Sequence, residues 1–133
     1  MLQFLLTQIG KLKAAISSIS SKTDTVNSLT VAFDSELDLN SASKIYAYKY
    51  MNLLFVTGFM NSNEDVTANK TIAKVSGVNI LQEMFTSVNG NNGGLARFKV
   101  TNSSDKTAVF SEAALTAYQW YSFSLCALIK DGD

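Results

Sequence analysis

The chain has 133 residues, of which 47% are hydrophobic and only 17% charged, and its 11 Lys and Arg residues balance 11 Asp and Glu residues. This length suits one compact domain and a further helix. A formal charge of zero, with no basic excess, argues against nucleic acid as a partner. The lone cysteine, Cys126, excludes an intrachain disulfide and a cysteine-rich zinc site.

The missing residue types limit the chemistry of the chain further. There is no histidine, which is the commonest general base and metal ligand. We find no nucleophile–base pair, phosphate loop or metal cluster in the sequence, so we expect no enzyme activity, no metal and no cofactor. The apolar residues 2–6 are too few for a membrane span and lack the flanks of a signal peptide, so we expect no membrane insertion.

The first 26 residues carry a heptad repeat, in which seam residues recur after three and then four positions. The seam positions are Leu2, Leu5, Ile9, Leu12, Ile16, Ile19, Thr23 and Val26. Because so narrow a seam needs partner helices, it predicts an oligomerising coiled coil over residues 1–27. Isoleucine at both Ile16 and Ile19 favours three strands over two, so we expect a homotrimer. The alternative is one amphipathic helix that packs on its own domain.

From Leu29 onward the hydrophobic period is two, which is typical of strands. Predicted strands cover residues 29–39, 45–59 (with a break or bulge at Asn52), 66–75, 80–88, 95–101, 106–110 and 118–129. Segments 89–94 and 102–105 predict hairpin turns, and the first should be exposed and tolerant of substitution. The sequence therefore predicts a mainly β fold, in which the coiled coil precedes an antiparallel, jelly-roll-like β-sandwich head over residues 28–133.

Three acidic side chains in the first predicted strand are a candidate ion site. Asp34, Glu36 and Asp38 are spaced by two, so their carboxylates would line one strand face. Three such carboxylates could hold calcium. A solvated outer face, which also protects a sheet edge from aggregation, is the simpler interpretation.

Aromatic residues in two strands are candidates for ligand contact. Tyr46, Tyr48 and Tyr50 form a stripe on one strand face, and Trp120 lies in the last strand on the face opposite to Tyr121. Rings with polar tips suit sugar faces and protein interfaces, and they also suit an ordinary core. Tyr46, Tyr48, Tyr50 and Trp120 are therefore candidate ligand or interface residues. Cys126 is expected to be an inert buried thiol.

Four segments of the head carry a resemblance to a known class. They are Asn-Leu-Leu-Phe-Val-Thr-Gly-Phe at 52–59, Ile-Ala-Lys-Val-Ser-Gly at 72–77, Gly-Leu-Ala-Arg-Phe-Lys-Val at 94–100 and Trp-Tyr-Ser-Phe-Ser-Leu at 120–125. Their order after a short trimerising helix resembles the C-terminal head domains of tailed-bacteriophage fibre and baseplate proteins. Those heads commonly show an N-x-x-x-V-x-G strand, a G-x-x-x-I/V strand and a final Y-x-F strand. The chain departs from them in lacking the Leu-Pro that follows their middle strand.

The resemblance implies a homotrimeric virion protein, a tail or head fibre on the particle surface that contacts tail, baseplate or capsid proteins. Such heads bind a host-surface saccharide or cap a fibre, and they do no chemistry. Three weak sites on a rigid stalk would raise the apparent affinity through effective concentration. Two alternatives stay open: a purely structural capsid-decoration or baseplate component, and a cellular trimeric jelly-roll ligand.

Overall fold

A computed structural model describes residues 2–23, 26–91, 93–102 and 107–130, with side chains described throughout these ranges except at residues 17–23. Within these ranges the chain forms one helix followed by strands. The elements are α1 (Leu2–Thr23), β1 (Val26–Leu29), β2 (Val31–Phe33), β3 (Lys44–Tyr50), β4 (Leu53–Asn61), β5 (Lys70–Val75), β6 (Met84–Asn89), β7 (Leu95–Asn102), β8 (Thr107–Ser111) and β9 (Trp120–Leu128).

Helix α1 ends at Thr23, where the Ser- and Thr-rich sequence disfavours further helix. Residues 2–16 are all exposed, so in the single chain the helix does not pack on its own head. The heptad pattern was wrong at Val26: this residue lies in β1, where it pairs with Tyr50 instead of extending the helical seam. The side chains of Ile19 and Thr23 lie outside the described residues.

One sheet has four antiparallel strands in the order β1-β3-β4-β9. β3 and β4 form a hairpin that turns at Met51 and Asn52, the point where the sequence predicted a break. The nine residues of β4 pair with β9 from Leu53 opposite Leu128 to Asn61 opposite Trp120. These two long strands form the widest part of the sheet.

The other sheet has five antiparallel strands in the order β2-β5-β8-β7-β6. The predicted hairpin at 89–94 is confirmed and joins β6 to β7. Gly93 has a φ of 86°, a left-handed conformation that glycine adopts without strain. Asn91 is exposed, but its Oδ1 accepts a hydrogen bond of 3.2 Å from the backbone N–H of Trp120. The turn is therefore also tied to β9.

The two sheets are connected at both sides of the head. On one side the chain passes from β1 directly into β2 across Thr30. On the other side, isolated bridges pair Gly90 with Tyr121 and Ile80 with Ile129. Between the sheets lies one core, in which the rings of Phe98 and Phe123 pack with centroids 4.9 Å apart.

The predicted strand over 29–39 was wrong in its extent, because β2 ends at Phe33. Asp34 begins a turn in which its Oδ1 accepts a hydrogen bond of 2.9 Å from the N–H of Glu36 and its carbonyl accepts one of 3.1 Å from the N–H of Leu37. An Asx turn of this kind competes with strand pairing. Asp34, Glu36 and Asp38 therefore do not line one strand face.

The predicted strand over 80–88 was also too long, since β6 begins at Met84. Instead of strand pairing, Ile80 forms an isolated bridge to Ile129. The two antiparallel sheets after an N-terminal helix confirm a mainly β head with two sheets. Their strand order does not establish a jelly-roll topology.

Candidate binding surface

The predicted tyrosine stripe lies on the outer side of the four-stranded sheet. Ala47 is buried against the core, and because side chains alternate along a strand, Tyr46 and Tyr48 point the other way. Tyr50 has the same parity and closes the stripe beside the β3–β4 turn. Tyr46 is 47% exposed, and Tyr48 and Tyr50 are half-buried.

Strands β4 and β9 continue this surface with further apolar side chains. Phe55 lies opposite Tyr48 on one side and Cys126 on the other. Phe59 contacts Trp120, with ring centroids 5.9 Å apart. Trp120 therefore lies on the same face as the tyrosine stripe, whereas its neighbour Tyr121 is buried. The structure thus brings all four predicted aromatic residues onto one surface.

We call this surface the aromatic face. It consists of Val26, Ser28, Lys44, Tyr46, Tyr48, Tyr50, Leu53, Phe55, Thr57, Phe59, Trp120, Ser122, Ser124, Cys126 and Leu128. Across its middle, the hydroxyls of Thr57 and Ser124 share a hydrogen bond of 3.1 Å. Lys44 is the only charged member, so the face offers broad van der Waals contact and very little charge.

Sequence analysis missed several members of the aromatic face and misplaced one. Cys126 was expected to be buried, but it is exposed, because Leu125 and Ala127 take the inward positions of β9. Phe55 and Phe59 were not singled out. Alternation around Gly58 could have identified them. Because the small Gly58 faces the core, Phe55 and Phe59, at odd positions of the same strand, face outward.

The outer side of the five-stranded sheet has a different character. The guanidinium of Arg97 lies 4.0 Å from the ring centroid of Phe85. Glu112 pairs with Arg97 at 3.3 Å and with the Nζ of Lys99 at 3.9 Å, and Lys99 also lies 5.8 Å from the ring centroid of Phe110. Charged and apolar side chains are therefore mixed on this side, as is usual for a solvated surface.

The carboxylates that sequence analysis considered for calcium are used differently. The Nζ of Lys70 donates to Oε2 of Glu36 at 2.8 Å, and this hydrogen bond, together with the charge of Glu36, raises the pKa of Lys70. Among the described residues no group of three or more His, Cys, Asp and Glu side chains could hold a metal ion. In the same part of the chain no helix is long and apolar enough to cross a membrane.

The described seam residues of α1 form a second exposed apolar surface. Leu2, Leu5, Ile9, Leu12 and Ile16 are each at least 50% exposed. The helix also carries exposed Phe4 and Leu6 beside the seam. A helix that keeps this stripe in water lacks the burial that normally stabilises amphipathic helices.

Comparison with known proteins identifies a solved structure of similar fold. No family model matches the chain, and no curated protein matches it. A similar solved structure is the head domain of phage bIL170, reported with the question of whether the receptor-binding domains of lactococcal phages share a common fold. It superposes on this chain with a TM-score of 0.51 at 16% sequence identity, and the match covers 80% of this chain and 100% of the phage head domain. At this identity the likeness shows the fold.

Proposed function

We propose that this protein is a trimeric fibre protein of a tailed bacteriophage, located on the virion surface, whose β head attaches the particle to a saccharide of the host surface. The observation that carries this proposal is the similarity of the fold to the head domain of phage bIL170. The resemblance of the segments at 52–59 and 120–125 to phage head domains points in the same direction.

The exposed seam of α1 supports the trimeric part of the proposal. Side chains such as Leu5, Leu12 and Ile16 gain burial only when a partner helix covers them, and Ile at both seam positions of a layer favours three helices. Three identical heads on one stalk would bind a repetitive surface polymer with an avidity that no single head has. Attachment of this kind needs no catalytic group and no cofactor.

A second candidate function is a purely structural component of the capsid or baseplate. The aromatic face favours it, because a surface with Lys44 as its only charged side chain suits permanent contact between proteins better than reversible contact with a hydrated sugar. In this case the protein would interact with other virion proteins and would have no receptor.

The test is the binding of fluorescently labelled full-length protein to a panel of bacterial cells that includes lactococci. We expect saturable binding to a subset of strains, loss of binding after periodate oxidation of the cell-surface polysaccharide, and much weaker binding by an Ile9→Asn/Ile16→Asn variant that forms monomers. Binding that survives periodate would contradict saccharide attachment. Absence of binding to every strain, together with binding to purified phage particles, would favour the structural component.

A further inference from the structure

We propose that the aromatic face is the surface through which the heads of neighbouring copies of this chain pack on one another, as a continuation of the helical bundle. The inference rests on the homotrimer of the proposed function and deepens it. It assigns the tyrosine stripe and Trp120 to contacts between subunits, so that the receptor must be contacted by other parts of the head.

The first argument is the chemistry of the face. Tyr46 is 47%, Phe55 38%, Phe59 38% and Leu128 50% exposed in the single chain, and they are contiguous across three strands. The largest continuous apolar patch of a soluble protein is often an interaction site. Because Lys44 stands at one end of β3, two or three copies can meet on this face without placing a charge in the middle of the contact.

The second argument is continuity with the helical seam. α1 ends at Thr23, and β1 begins at Val26 as the edge strand of the sheet that carries the aromatic face. Three peptide links of about 3.8 Å allow at most ~11 Å between the Cα atoms of Thr23 and Val26. Helices in a bundle lie about 8–10 Å apart. A bundle of three α1 helices therefore holds three heads side by side, with the four-stranded sheet attached directly to the bundle.

The third argument is area. Four strands spaced by about 4.8 Å, with nine residues of about 3.3 Å each in the longest strands, give a face of roughly 19 by 30 Å, or on the order of 500 Å² in projection. A stable protein interface buries about 800 Å² per partner. The aromatic face alone falls short of this value, and the seam of α1 supplies further apolar surface. An interface of stable size on this face therefore requires the seam of α1 as well.

The chain carries its own reporter of this contact, because Cys126 is its only cysteine and lies exposed on the aromatic face of the single chain. We would measure the rate at which 5,5′-dithiobis(2-nitrobenzoate) reacts with the native full-length protein, relative to its rate in denaturant. The matched control is a Cys126→Ser/Ser87→Cys variant, whose thiol lies on the exposed outer side of β6. We expect Cys126 to react at least about tenfold more slowly than the control thiol, since burial between copies denies access to the reagent.

A pair of variants tests which face of the head shields Cys126 from the reagent. Phe55→Glu places a charge on the aromatic face, and Phe85→Glu places the same charge on the opposite side of the head at a position of similar exposure, 42% against 38%. We expect Phe55→Glu to bring the Cys126 rate to within about threefold of the control thiol and Phe85→Glu to leave it slow, because a charge buried at an interface is costly. Circular dichroism confirms that each variant is folded. The comparison of the native Cys126 rate with its rate in denaturant uses the unaltered protein alone.

The outcomes separate this inference from the proposed function. A slow Cys126 that Phe55→Glu releases supports the interface. A Cys126 as fast as the control thiol in a protein of three chains overturns it, as does protection that appears only after virions or cell walls are added, which would assign the face to another partner. Cell binding is measured on the same preparations. A shielded Cys126 without cell binding would contradict the receptor function and support the interface. An accessible Cys126 with cell binding would support the receptor function and contradict the interface.

Discussion

Two glycines show how the same substitution acts with opposite sign at different places in this chain. A Cβ on Gly58 would lie 2.6 Å from the carbonyl oxygen of Lys44 and 2.9 Å from Cζ of Phe123, whereas a Cβ on Gly10 would meet nothing within 4 Å. We expect Gly58→Ala to lower the free energy of unfolding by roughly 1–3 kcal/mol through overpacking. We expect Gly10→Ala to raise it by up to ~1 kcal/mol per chain through helix propensity. Urea unfolding of both variants is the measurement, and equal effects would contradict the account of Gly58.

The side chain of Asn102 hydrogen-bonds to the backbone of Ile80, in the segment that precedes β6, as the backbone of a neighbouring strand would. Its Nδ2 donates to the carbonyl oxygen of Ile80 and its Oδ1 accepts from the N–H of Ile80, both at 2.8 Å. Asn102→Ala leaves both backbone groups of a buried residue without these partners, so we expect a loss of about 1–3 kcal/mol in unfolding free energy. The exposed Asn89 at the end of β6 gives the control Asn89→Ala, which should change stability by less than about 0.5 kcal/mol. A similar loss in both variants would argue against a special role for Asn102.

At the scale of the element, α1 should be stable as a helix only in the assembly. Ile16→Asn puts a polar group into the central layer of the predicted coiled coil and should weaken the trimer, because a polar residue at one seam position lowers coiled-coil stability. Ala14→Asn is the control, since it places the same side chain opposite the seam and costs at least as much helix propensity. Light scattering over a range of concentrations would show dissociation for Ile16→Asn alone. An unchanged trimer in both variants would contradict the seam.

The elements differ in how far their sequences predict them. The hairpin turn at 89–94 could be predicted because Asn and Gly mark it locally, whereas at Asn52 the sequence indicated only a break or bulge where the structure has a hairpin turn. The end of β2 could not be predicted, since Val31, Phe33 and Leu37 keep the strand period while the side chain of Asp34 forms a turn. Val26 fits the helical seam equally well, and only its pairing with Tyr50, 24 positions later in the chain, places it in a strand. Where the hydrophobic periodicity fits both a helix and a strand, contacts between residues remote in sequence determine which one forms.

At the scale of the whole molecule, the antiparallel head could be predicted from alternation and turn spacing, but the contacts between its two sheets could not. These contacts include the bridges of Gly90 to Tyr121 and of Ile80 to Ile129, which follow no periodic pattern in the sequence. The candidate surface was predicted in part. The tyrosine stripe follows from alternation around Ala47, whereas the addition of Phe55, Phe59 and Cys126 needed the register of β4 with β3 and β9.

The central claim is that this chain works as a trimer whose helices and aromatic faces are buried together. Its most direct test is the solution mass of the full-length protein by size-exclusion chromatography with multi-angle light scattering. The account predicts a mass three times that of the 14.5 kDa chain, unchanged on dilution to low micromolar concentration. A mass of one chain would contradict it, because both the seam of α1 and the aromatic face would then stand in water without a partner.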